Sequence, residues 1–229
     1  MLIGGFQKFS LSDFPGKISS IVFTQGCNFL CPYCHNPELV EPDSYVTPLD
    51  EATIFSFLKS RRGRIQGVVI TGGEPTLHED LPEFLERVRK IGCEVKLDTN
   101  GSNPALLERI ISSGLADYIA LDVKAPLRLY PSVARVPVNT ADILRSIRLV
   151  IESGIPHEMR TTYLETLLSI DDMREIAEMV KGCRLLVVQS FRPTKALDPA
   201  MLEQPTPSSH TLENLRAAVD AMGVPCETR

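Results

Sequence analysis

Residues 26–40 read GCNFLCPYCHNPELV and place Cys27, Cys31 and Cys34 within eight positions, three residues apart and then two. The stretch follows ISSIVFT (18–24), an apolar, β-branched run that reads as a strand, so the cysteines stand just past a strand's C-terminal end. Similar runs recur at GVVIT (67–71), EVKLDT (94–99), YIALDV (118–123), HEMRTT (157–162) and RLLVVQS (184–190), which makes six strands. Helical patterns lie between them at 48–61, 81–91, 104–113, 140–152, 171–181 and 210–221. The clearest is LPEFLERVRKI, where Leu81, Phe84, Leu85, Val88 and Ile91 follow the spacing of one buried face and Asp80 is placed to cap the helix. Strand–helix alternation implies an α/β fold with a parallel sheet and helices packed outside it. Right-handed crossovers then leave an open doubly wound sheet or a curved, incomplete barrel, since six units fall short of the eight that close. The tail GVPCETR could start a seventh strand.

Under either topology ligands bind at the C-terminal strand ends. Three long loops stand there, 25–47, 124–139 and 191–209, and loops of this length inside a domain are commonly functional. Gly92, Gly114 and Gly154 each follow a helical pattern where a left-handed residue is wanted.

Composition bounds the function. With 229 residues, 43% hydrophobic and 23% charged, the chain reads as one ordinary globular domain over 1–229. A net charge of -5 supplies no electrostatic footprint for nucleic acid or an anionic membrane. The run Arg61, Arg62, Arg64 reads as a solvated helix end. No signal peptide and no long apolar segment is visible, so a cytoplasmic protein is expected. Six cysteines without an export signal read as ligands and thiols rather than disulfides, with Cys93, Cys183 and Cys226 scattered and expected to be buried.

Four readings compete for the three-cysteine loop. Structural zinc needs a fourth ligand, which would be His35, Cys93 or something more distant. CPYCH (31–35) spells the attachment signature of c-type haem, but export and a role for Cys27 are missing. Three structural thiols would be reactive in an exposed loop. An iron–sulfur cubane held by three cysteines instead of four would leave one iron open to a substrate or cofactor.

At this spacing the loop resembles that of the radical S-adenosylmethionine superfamily, whose C-x3-C-x2-C segment follows the first strand of a partial β/α barrel. The resemblance implies an incomplete (β/α)6 barrel of TIM type with parallel strands. It also implies a [4Fe-4S] cluster on Cys27, Cys31 and Cys34 whose open iron chelates S-adenosylmethionine and whose electron cleaves it to a 5′-deoxyadenosyl radical.

The other strand ends fit the same resemblance. TGGEP (71–75) resembles the family's GGE motif, so Gly72, Gly73 and Glu74 are expected at the amino group of S-adenosylmethionine. The glycines would let backbone carbonyls approach the ligand, and a Cβ at Gly73 is expected to block that ligand while sparing the cluster. Tyr33 is expected against the adenine. Asp98, Thr99 and Asn100 in LDTNG, Lys124 in LDVK and Arg160 are expected to contact or frame S-adenosylmethionine, with Asp98 near a cation. Internal ion pairing is the plain alternative for Asp122, Lys124 and Arg160.

Together CNFLCPYCHNPEL, TGGEPTL, DTNG and LDVK resemble, more narrowly, the activating enzymes of glycyl-radical enzymes, such as those of anaerobic ribonucleotide reductase and pyruvate formate-lyase. That implies an oxygen-sensitive oxidoreductase whose protein substrate is a glycyl-radical enzyme. With no second cysteine cluster after Cys34, a separate flavodoxin or ferredoxin is expected as electron donor. The alternatives are a radical enzyme acting on a small, purine-derived molecule, and a non-catalytic zinc or haem protein. The loops at the barrel mouth offer Arg128, Arg135, Arg192 and Lys195 for substrate contacts.

Overall fold

The computed structural model describes residues 1–229. Its eight strands form one sheet in sequence order: β1 (Ile3–Ser10), β2 (Ser19–Thr24), β3 (Gly67–Gly72), β4 (Glu94–Thr99), β5 (Tyr118–Asp122), β6 (His157–Tyr163), β7 (Leu186–Ser190) and β8 (Cys226–Thr228). β2 to β8 are parallel, and β1 alone runs antiparallel, on β2. The helices are α1 (Glu51–Ser60), α2 (Leu81–Ile91), α3 (Pro104–Ser112), α4 (Tyr130–Ala134), α5 (Thr140–Glu152), α6 (Ile170–Met179) and α7 (Ser209–Asp220). Every strand from β2 to β7 is followed by at least one helix, which gives six β/α units, and β8 is the short seventh strand. No ladder joins β8 to β1, so the barrel stays open on that side. No helix is long and apolar enough to cross a membrane.

Period-two alternation sorts the strand residues into two cores. Val22, Val68, Ile70, Val95, Leu97, Ile119, Leu121, Met159 and Val188 face outward into the large core shared with the helices. The alternate residues face the lumen, where Phe14, Ile21 and Val69 form a small apolar cluster with Phe23 and Tyr118 packed on it. Phe14 comes from the β1–β2 turn and packs so tightly on Gly67 that a Cβ there would lie 2.6 Å from its ring. Above this plug the lumen is polar.

Two elements were hidden in the sequence. β1 reads IGGFQKFS, poor in β-branched residues, yet Gly4 lets it pack closely, since a Cβ there would meet the side chains of Gln25 at 2.5 Å and Leu39 at 2.6 Å. α4 lies in the expected loop 124–139. Asp80 also differs from expectation: it makes no side-chain cap on α2, and its carboxylate pairs with the Met1 ammonium instead. Gly92, Gly114 and Gly154 do take positive φ, at 95°, 62° and 73°. Arg61, Arg62 and Arg64 are exposed at the end of α1. Cys93 and Cys183 are buried, but Cys226 on the edge strand β8 is only partly so.

Candidate functional site

The loop after β2 is fixed by backbone bonds before any ligand is considered. Gly26 N–H donates to Leu39 O at 2.8 Å, Leu30 N–H to Ala134 O at 2.9 Å and Cys34 N–H to Cys31 O at 3.0 Å. The three cysteines are free, Cys31 buried and Cys27 and Cys34 half-buried. Burial pushes all three thiols up, Cys27 to about 12, so they are neutral near pH 7 when nothing is bound. They line a cavity of 430 Å³ together with Tyr33, Gly72, Gly73, Glu74, Asp98, Thr99, Asn100, Lys124 and Arg160. One cavity at the C-terminal strand ends therefore gathers every expected site residue.

The glycine turn is more than a ligand platform. Gly72 has φ 117°, and a Cβ there would lie 2.4 Å from Thr24 N. A Cβ on Gly73 would lie 2.0 Å from Gly26 O, the residue before Cys27. Both glycines let the end of β3 close on the end of β2. The two backbones touch here, so a Cβ at Gly73 bears on the cysteine loop as well as on the ligand turn.

Glu74, expected at the amino group of S-adenosylmethionine, also has a structural part, since its carboxylate accepts four hydrogen bonds within the fold. Oε1 accepts from Thr76 N (3.0 Å), Thr76 Oγ1 (2.5 Å) and Thr99 Oγ1 (2.7 Å), and Oε2 from Asn100 N (2.6 Å). Glu74 thus ties the β3 turn to the end of β4. Burial drives its pKa up, and these four donors act against that rise.

Asp98, Asp122, Lys124 and Arg160 form an ion chain across three strands with a fifth member, Lys96. Lys96 reaches Asp98 Oδ1 at 2.7 Å, Arg160 reaches Asp98 Oδ2 at 3.0 Å and Asp122 Oδ1 at 2.8 Å, and Lys124 reaches Asp122 Oδ2 at 3.0 Å. Three cations against two carboxylates leave the chain one positive charge in excess. Both Asp98 oxygens face internal cations, so the implied extra cation finds no uncommitted oxygen on that residue. Burial pushes Asp122 up, but Arg160 and Lys124 outweigh it and hold the carboxyl far below the usual range. Burial lowers Lys124, but the Asp122 carboxylate beside it raises it by more, so it stays charged.

Sequence reading missed Lys96, Thr162 and Gln189. Lys96 is 3% exposed, while Thr162 and Gln189 line the cavity. Lys96 and Thr162 each lie two residues along a strand from an expected site residue, so lumen alternation was the available signal. Asn28 was missed as well, and its Oδ1 accepts from Asn100 Nδ2 at 2.9 Å.

The mouth is bridged where the sheet is not. His35 stacks on Phe191, centroids 5.3 Å apart, and its Nε2 lies 3.0 Å from Arg192 O. Lys195 pairs with Glu38 at 2.5 Å, and Asp198 N–H donates to Pro32 O at 2.9 Å. Loops from the two sides of the open barrel meet through these contacts.

The residues fit a three-thiolate cluster with a bound cofactor. Three free thiols share a wall of the cavity, and Tyr33 Oη is buried without a hydrogen-bond partner, as a group awaiting a ligand would be. A closed zinc site fits less well: Cys93 donates to Ile65 O at 3.7 Å, at the opposite end of the sheet, and no three His, Cys, Asp or Glu side chains converge on a single-ion position.

Comparison with known proteins agrees with this geometry. The family model of the Radical SAM superfamily matches residues 21–182. A "Putative glycyl-radical enzyme activating enzyme" of Methanocaldococcus jannaschii is 33% identical over 220 residues, covering 93% of this chain and 90% of that one. The pyruvate formate-lyase-activating enzyme of Streptococcus mutans is 28% identical over 198 residues, 79% of this chain and 72% of its own. Among solved structures, Streptococcus suis SuiB bound to S-adenosylmethionine superposes with a TM-score of 0.69 at 15% identity, covering 89% of this chain and 48% of that one, a likeness of fold.

Proposed function

The chain belongs to the Radical SAM superfamily, and from that premise we propose that it activates a glycyl-radical enzyme by removing hydrogen from a backbone glycine of that partner. Proteins of this superfamily use a [4Fe-4S] cluster and S-adenosylmethionine. Held by Cys27, Cys31 and Cys34, the cluster would supply the low-potential one-electron reduction that splits the bound sulfonium into methionine and a hydrogen-abstracting 5′-deoxyadenosyl radical.

The remaining work belongs to the protein. Cys27, Cys31 and Cys34 would hold three irons and leave the fourth for the amino acid part of S-adenosylmethionine. The backbone of Gly72 and Gly73 would meet its amine, and Glu74 would keep that turn registered with Thr99 and Asn100. Tyr33 would lie along the adenine. Lys124 and Arg160, fixed by Asp98 and Asp122, would present the ion chain's excess positive charge to anionic groups of the ligand. A flavodoxin or ferredoxin would supply the electron.

The observation that carries this reading is the gathering of three free thiols and the Gly-Gly-Glu turn around one cavity. The relatives from M. jannaschii and S. mutans support the choice of a polypeptide substrate. Two stages test it. Anaerobic reconstitution, S-adenosylmethionine and dithionite should yield 5′-deoxyadenosine by chromatography. Addition of a glycyl-radical enzyme from the same organism should then produce the glycyl doublet in electron paramagnetic resonance. Consumption of a small metabolite, with no radical on any such partner, would overturn the activase assignment.

A further inference from the structure

A second pocket adjoins the first. It encloses 480 Å³ and is lined by His35, Thr162, Gln189, Ser190, Arg192, Thr194, Lys195 and Arg229, with no hydrophobic and no acidic side chain among them. His35, Thr162 and Gln189 line both cavities, so the second is an annex of the first. It extends from the cysteine loop to the ends of β7 and β8, on the flank where β8 and β1 do not pair.

The cations at the mouth are not equivalent. Arg128 is paired with Asp172 and Glu175, Arg135 with Asp198 and Lys195 with Glu38. Arg229, also in the annex, reaches Glu158 and Glu227 at 3.2 Å each. Arg192 has no carboxylate within ion-pair distance, although His35 holds its backbone carbonyl and so anchors the base of its side chain. An exposed, uncommitted guanidinium at the rim of a pocket lined by no acidic side chain suits an oxyanion. A planar carboxylate suits the guanidinium fork in particular.

We infer that the annex is a carboxylate subsite for the substrate, seating an acidic group on Arg192 while the reacting carbon lies in the neighbouring cavity. The carboxylate can be an Asp or Glu side chain of the incoming polypeptide or that of a small acid. The inference rests on the proposed function for the identity of the reaction, but the ligand chemistry of the annex does not depend on it. It gives the site a charge rule: among glycine-centred segments, one with an acidic residue at the right spacing is preferred.

The test measures binding, separately from turnover. Fluorescein-labelled peptides with a central glycine and one Glu, placed one to three residues to either side, are compared with their Gln counterparts by anisotropy. The protein is the anaerobically reconstituted enzyme with S-adenosylmethionine. One Glu position should bind about fivefold or more tightly than Gln, as expected of a charge-assisted contact. Arg192→Gln should erase the preference and Arg192→Lys restore part of it, with circular dichroism confirming that both variants fold. Calorimetry with glutarate and with inorganic phosphate distinguishes the sources. Arg192-dependent glutarate heat without peptide discrimination assigns the carboxylate to a small acid. Arg192-dependent binding of phosphate alone, or charge-blind binding throughout, overturns the inference. Failure of the wild-type protein to form 5′-deoxyadenosine would defeat the proposed function and leave the binding result standing.

Discussion

Gly73 stands against Gly26 so closely that a single added methyl would sit 2.0 Å from the Gly26 carbonyl oxygen. The neighbour is backbone and cannot rotate away, so Gly73→Ala must displace the chain that leads into Cys27. Overpacking of this kind costs ~1–3 kcal/mol. The variant is expected to lose iron and sulfide as well as S-adenosylmethionine binding, and to melt at lower temperature than the wild type without metal. Wild-type iron content with only S-adenosylmethionine lost would show that the turn serves the ligand alone.

Cys27→Ser, Cys31→Ser and Cys34→Ser should each abolish cluster binding, whereas Cys183→Ser, behind the sheet, should retain it. Iron and sulfide analysis after anaerobic reconstitution decides the matter. Cluster retained at full occupancy in any of the first three would remove that residue from the ligand set.

Arg160→Met removes the shared partner of Asp98 and Asp122. Breaking a buried pair from one side typically costs ~3–5 kcal/mol, and urea unfolding at pH 7 should show a loss of that order. The pH dependence has a definite sign. Asp122 is held below its ordinary value of 3.8, so its ion pair contributes fully above that value and is lost as pH falls through the depressed one. The gap between wild type and variant should therefore be widest near neutrality and narrow in strong acid. A gap that widens on acidification would contradict the ion chain.

Glu74→Gln keeps the shape and exchanges an acceptor for a donor. An amide nitrogen in that place faces N–H or O–H groups, and leaving buried donors unmet costs ~1–3 kcal/mol. Hydrogen exchange should quicken at the Thr76 and Asn100 amides, which both donate to this carboxylate. Unchanged protection at Asn100 would mean that Glu74 does not tie the two strand ends.

The parts legible in the sequence were those set by local pattern. Leu81, Phe84, Leu85, Val88 and Ile91 revealed α2 because all five bury one face, and the three cysteines revealed their loop by spacing alone. β1 escaped because Gly4 and Gly5 are there for close packing, not for strand propensity. The partners of Arg160 were illegible for another reason. Its register places it opposite Asp122, while Asp98 belongs to a strand two places away in the sheet, and neither relation is encoded within a single segment. The same holds for Glu74, whose carboxylate meets groups 25 and 26 residues further along the chain.

The contacts of His35 with Phe191 and Arg192, of Lys195 with Glu38 and of Asp198 with Pro32 join the two flanks of the barrel without a β-ladder. They act as a clasp. A clasp made of one stacked ring pair, one solvent-accessible ion pair, one side-chain hydrogen bond and one backbone bond opens at far lower free energy than a sheet does. If the substrate is a polypeptide, as proposed, it would meet at this flank a rim that yields rather than a closed sheet.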